Sequence, residues 1–197
     1  MIERRRGKMK EKKQKRKTKS KNGAIFLDRD GTINVDKSYV YRLEDFEFIS
    51  GSLNALQLLS KTQYKLIIVT NQSGIGLGLY TQADYNKVTN YMLAEFKKHK
   101  IRVDKIYFCS HSPEKRCNCR KPQQQMIKNA QNEFNIDLKN SFVIGDKTSD
   151  IEFGKRAGCK TILLETGLAG KDGRFRVKPD FVCKNLLEAA KLIIRKN

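Results

Sequence analysis

Asp28 and Asp30 stand two residues apart, preceded by the apolar run Ala24-Ile25-Phe26-Leu27 and followed by Gly31 and Thr32. A carboxylate can attack an electrophile, bind a hard cation, or carry a proton as general acid and base. Two that leave one strand end together can divide those tasks over a single substrate, and Gly31 permits the sharp turn this requires. Farther along, Thr70-Asn71-Gln72-Ser73 forms a hydroxyl and amide cluster, and Arg120-Lys121 offers a fork and a point charge suited to phosphate. Asp146 leaves another apolar run behind Gly145, and Asp150 follows it by one helical turn, where it can brace Lys147 or a metal-bound water.

A different chemistry is written in Cys109-Ser110-His111 and Cys117-Asn118-Cys119. Four soft or borderline ligands within 11 residues, set among Ser, Pro, Glu, Lys and Arg, have the content of a tetrahedral zinc site. All four positions are filled, so the Zn²⁺ is expected to be structural, stapling the loop that presents Arg120 and Lys121. Cys159 and Cys183 are isolated and read as small core residues.

These residues need strands to hold them. Strands expected at 24–27, 65–70, 103–108, 141–144, 160–164 and 180–182 alternate with helical patterns, which implies an α/β fold with a doubly wound, mostly parallel sheet. Helices are expected after Gly51 with Ser52 as N-cap, after Thr81 with Asp84 completing the cap, and after Pro122 placed in a first turn. The tract 33–50, directly after the first strand, carries Asp36, Lys37, Ser38 and Tyr39 and reads as a substrate-facing flap.

The chain has 197 residues and a formal charge of +20, half of it in residues 1–22. That segment is expected to be a basic disordered tail ahead of one catalytic domain at 23–197. No aromatic residue is interleaved with its charge, so no nucleic-acid partner is expected beyond weak tail contacts. No apolar run is long enough to span a bilayer and no secretory pattern opens the chain. A cytoplasmic monomer with reduced cysteines and no membrane contact is the expectation.

Asp28-Arg29-Asp30-Gly31-Thr32 resembles the first motif of the haloacid dehalogenase superfamily of aspartate-dependent phosphatases. The run onward through Ile33-Asn34, with Tyr39-Val40 and Phe46-Glu47-Phe48, is similar more narrowly to the heptose-1,7-bisphosphate 7-phosphatases and their histidinol-phosphatase relatives. The resemblance covers roughly residues 24–194 and implies a haloacid dehalogenase-like sheet with no large cap domain. It implies Asp28 as nucleophile, Asp30 as general acid and base, and Mg²⁺ held by Asp28, Asp146 and the Asp30 carbonyl. Thr70 and Lys121 would stabilise the phosphoryl group. Asn71, Gln72, Ser73, Arg120, Lys147 and the flap residues Asp36, Lys37, Ser38 and Tyr39 would meet a phosphorylated sugar. The implied activity removes the 7-phosphate of the heptose bisphosphate on the way to ADP- or GDP-heptose for lipopolysaccharide core or surface polysaccharide. Histidinol-phosphate hydrolysis is the alternative. A nucleic-acid-binding protein or polynucleotide phosphatase working through the tail is a reading of another class.

Overall fold

The computed structural model describes residues 22–196. The expected tail at 1–22 lies outside the described residues except for Asn22. Six parallel strands form one sheet: β1 (Ala24–Leu27), β2 (Lys65–Asn71), β3 (Lys105–Cys109), β4 (Phe142–Gly145), β5 (Lys160–Leu164) and β6 (Phe181–Cys183). Their spatial order is β3-β2-β1-β4-β5-β6. Strand order therefore reverses beside β1, and the crevice beyond the carboxyl ends of β1 and β4 is where open α/β sheets receive ligands.

Both faces of the sheet are covered, which is why its strands are apolar without alternation. Ile25 and Leu27 of β1, with Leu66 and Ile68 of β2, pack toward α1 (Ser52–Ser60), α3 (Gln82–Lys98) and α6 (Leu186–Arg195), behind Leu56, Val88, Phe96 and Ile193. A short helix, α2 (Ser73–Gly76), sits between β2 and α3. Ala24 and Phe26, with Ile67 and Val69, face α4 (Gln125–Phe134) and α5 (Thr148–Ala157) across Met126, Ile127 and Phe153. Phe26 and Phe153 are fully buried, so truncating either to alanine would cost about 3–5 kcal/mol.

Local signals hold in part. Thr81 and Asp84 form the expected capping box on α3, and Asn185 caps α6 through the Glu188 N–H. Cys159 and Cys183 are buried as expected. Ser52 is not a cap: Gly51, at φ 79°, takes that place, and the buried Ser52 hydroxyl finds no hydrogen-bond partner. Pro122 does not start a helix either. The chain first turns, with Gln123 N–H donating to Arg120 O and Gln125 N–H to Asn118 O, and α4 begins at Gln125. The tract 33–50 is tied down at its base, where Val35 N–H donates to Glu47 O and Ile49 N–H to Ile33 O.

Candidate active site

β1 and β4 are paired in register, Leu27 opposite Ile144, and the Asp28 N–H donates to Ile144 O at 3.0 Å. Asp28 and Asp146 consequently emerge side by side at the reversal of strand order. With Asp150 from the first turn of α5 they bring carboxylate oxygens within 4.8 Å of one another, and all three residues are buried. Like charges this close and this dry resist ionisation. Burial, then the carboxylates of Asp28 and Asp150, push Asp146 up to about 8 despite the neighbouring Lys147.

Asp146 Oδ2 accepts from Leu168 N–H at 2.8 Å, but Oδ1 is buried without a partner. An orphaned carboxylate oxygen beside two further carboxylates fits a hard divalent cation such as Mg²⁺. Two glycines guard that carboxylate: Gly31 at φ 86° and Gly167 at φ 57° each sit where a Cβ would strike it.

Lys121 is the counter-charge. Its Nζ lies 2.8 Å from Asp28 Oδ1 and 2.7 Å from Asp150 Oδ1, and donates to Val69 O at 2.8 Å. Burial works against this ammonium, but Asp150 and Asp28 more than offset it and hold its pKa above the ordinary value. Asp150 does accept the Lys147 N–H at 3.1 Å, as its spacing allowed, yet its ion pair is with Lys121.

Asp30 occupies a cradle of donors. Arg29 Nε reaches both carboxylate oxygens at 3.1 Å and Nη2 reaches one at 2.9 Å; Asn34 Nδ2 donates at 2.9 Å and Gln72 Nε2 at 3.0 Å. Burial alone would raise the Asp30 pKa, but the Arg29 charge and these hydrogen bonds hold it below the usual carboxylate value.

Sequence reasoning missed Arg29, which is 1% exposed and also donates to Val40 O. An arginine at the end of a buried strand was the available signal. Gln72 is buried and bonded to Asp30, Thr70, Arg29 and Tyr80, and it lines neither the recess nor the cleft described below.

Asp28, Asp30, Thr70 and Lys121 line a small recess of about 30 Å³. Above it a cleft of about 500 Å³ is lined by Asp36, Ser38, Tyr39, Asn71, Ser73, Arg120 and Lys147, together with Arg174, which sequence reasoning also missed. Lys147 reaches Asp36 at 2.8 Å and ties the flap to the start of α5. Asn71 clasps the backbone of Lys121, accepting its N–H at 3.0 Å. Lys37 is not brought in: it is an exposed partner of Glu47 at 3.6 Å and lines neither space. A separate cavity of about 490 Å³ lies around Tyr64 and Ile194, and none of the site residues lines it.

The sulfur ligands converge as their spacing foretold. Cys117 Sγ lies 3.7 Å from both Cys109 Sγ and Cys119 Sγ, and His111 Nδ1 lies 3.5 Å from Cys109 Sγ and 3.2 Å from Cys119 Sγ. Tetrahedral Zn²⁺ with ~2.3 Å bonds to sulfur separates two sulfurs by ~3.7 Å, so the set fits zinc. Cys109 and Cys119 are closer, at 2.9 Å. Burial and the adjoining Cys119 thiol push the Cys109 thiol up.

A family model described as HAD-hydrolase-like matches residues 118–189. The D-glycero-alpha-D-manno-heptose-1,7-bisphosphate 7-phosphatase of Campylobacter jejuni is 48% identical over 144 residues, which is 73% of this chain and 83% of that protein. The chain belongs to the heptose-bisphosphate phosphatase family of haloacid dehalogenase-like hydrolases. Its relative in Helicobacter pylori strain 26695, named for the beta anomer, is also 48% identical over 144 residues, with the same shares covered. The crystal structure of a D,D-heptose 1,7-bisphosphate phosphatase from B. bronchiseptica, complexed with magnesium and phosphate, superposes with a TM-score of 0.83 at 29% identity. That match covers 89% of this chain and 99% of the other. The family's members are phosphatases, and this chain is an enzyme of that kind. No helix among the described residues is long and apolar enough to cross a membrane.

Proposed function

We propose that this phosphatase removes the 7-phosphate of D-glycero-D-manno-heptose 1,7-bisphosphate, as a cytoplasmic monomer built from a basic tail at 1–22 and one catalytic domain at 23–197. The observation that carries the reading is Lys121 held between Asp28 and Asp150 in the small recess, beside a cleft lined by Arg120 and Lys147. An ammonium so placed lies against the attacking carboxylate and remains available to an equatorial phosphoryl oxygen.

Asp28 would attack phosphorus, forming an aspartyl-phosphate as the bond to the sugar oxygen breaks. Asp30 would give that oxygen its proton, then take one from the water that cleaves the Asp28–phosphorus bond. Since Arg29 favours ionised Asp30, the phosphate dianion entering beside it must lift its proton affinity before the first step. Thr70 and Lys121 would hold the transferring group. Asp28, Asp146 and the Asp30 carbonyl would hold Mg²⁺, which neutralises phosphoryl charge when bound. Zn²⁺ on Cys109, His111, Cys117 and Cys119 would brace the loop that ends in Arg120.

The relatives named for heptose bisphosphate support the substrate, and the cleft's chemistry agrees with it. Histidinol phosphate would bring a cationic amine toward Arg120 and Lys147, which disfavour it. Phosphate release from both compounds tests this: kcat/KM for the bisphosphate should exceed that for histidinol phosphate by at least ~100-fold. The opposite preference would overturn the substrate while leaving Asp28, Asp30 and Asp146 in their roles.

A further inference from the structure

Beside Arg120 the cleft adjoins a recess of about 250 Å³. Lys115, Arg116, Arg120, Lys121 and Arg174 line it, and no carboxylate does. A concave wall of one charge focuses the field and concentrates anions. Little of that charge is spent internally. Among the described residues Lys115, Arg116, Arg120 and Arg174 form no ion pair, and Arg120 Nη1 is buried without a hydrogen-bond partner. The two carboxylates that line the adjoining cleft are engaged elsewhere. Asp172 accepts from Thr148 N and Oγ1, both at 2.7 Å, and Asp36 is paired with Lys147.

Arg174 belongs to the loop joining β5 to β6, a segment whose sequence suggested only a connector. That loop is stapled to the start of α5. Asp172 grips Thr148 on one side of Arg174, and on the other the Phe175 N–H donates to Thr148 Oγ1 at 3.2 Å. The backbone at Arg174 is thus anchored while its side chain is exposed, and it lines both the catalytic cleft and the basic recess, as Arg120 does.

We propose that Arg174 is a specificity-determining residue that joins Arg120 in gripping the substrate's second phosphate, the one remote from Asp28. The proposal rests on the bisphosphate reading above. Two guanidinium groups from separate loops can each present a planar fork to a phosphate, and the basic recess supplies the field around them.

The test uses the full chain and its Arg174→Ala and Arg174→Lys variants, assayed on D-glycero-D-manno-heptose 1,7-bisphosphate and on the 7-monophosphate, which lacks the second group. Loss of a charge-assisted contact should lower kcat/KM for the bisphosphate ~10- to 100-fold in Arg174→Ala, chiefly through KM. The monophosphate should change by less than about twofold, because the lost contact lies outside the reacting centre. Arg174→Lys should recover part of the loss, since it keeps the charge without the fork.

A merely structural role would depress both substrates equally and would overturn the proposal. So would an unchanged ratio of bisphosphate to monophosphate in Arg174→Ala, provided the unaltered enzyme itself favours the bisphosphate. An unaltered enzyme with no such preference would sink the bisphosphate reading itself, and Arg174's assignment with it.

Discussion

Arg29 folds its guanidinium back onto the carboxylate of the very next residue, Asp30, contacting both oxygens from a position sealed beneath the flap. The pair fixes where Asp30 points and holds its pKa down. Arg29→Met would leave Asp30 without its buried partner, at a cost of ~3–5 kcal/mol in stability. Turnover should fall ~100-fold or more as Asp30 loses its orientation. The sign of the pH effect follows from the pair: without the cation the Asp30 pKa rises. Proton donation then persists to higher pH, and the alkaline limb of the kcat/KM profile should move upward. A pH profile of the residual activity, alongside a melting curve, checks both effects.

Asp28→Asn should reduce turnover to less than a few per cent, because the amide keeps the shape and loses the attacking charge. Lys121 retains Asp150, so the fold should persist by circular dichroism. Rapid quenching with mass spectrometry should find a phosphorylated chain in the unaltered enzyme and none in this variant.

Asp146, raised from 3.8 to about 8, binds a proton in the folded chain that the unfolded chain has released. Without a divalent cation, stability should therefore be fully present below about pH 4 as far as this group is concerned. It should then decline as pH rises toward about 8. Mg²⁺ must displace that proton, so its affinity should increase over the same interval, by up to ~10-fold per pH unit. Melting curves at pH 5 and pH 8, in EDTA and in excess Mg²⁺, test the sign. A cation-induced rise in Tm larger at pH 5 than at pH 8 would contradict it.

The sulfur cluster should bind one zinc per chain, measurable by elemental analysis. Cys117→Ser should weaken the metal and loosen the loop that ends in Arg120 and Lys121. KM for the bisphosphate should rise several-fold more than kcat falls, because Asp28, just past the end of β1, is untouched. Protein purified without chelator and free of zinc would count against the assignment.

What the chain declares by itself is local. Apolar runs of four to six residues ending in charge mark strands that must be buried on both faces. Four ligands within 11 residues converge almost regardless of tertiary context, because the intervening loop is too short to separate them. Asp28, Asp30, Thr70 and Lys121 were legible for the same reason, each standing at a strand end or beside the ligand loop. The structure decided the partnerships across large sequence separations. Strand order sets Asp28 beside Asp146, and the course of the ligand loop carries Lys121 between Asp28 and Asp150. Gln72 turns inward and Lys37 outward although both lie in polar stretches, since burial depends on what covers a side chain and not on its immediate neighbours. Arg174 gave no sign in sequence because its place at the cleft depends on a hydrogen-bonded staple between Asp172 and Thr148, a contact no periodicity encodes.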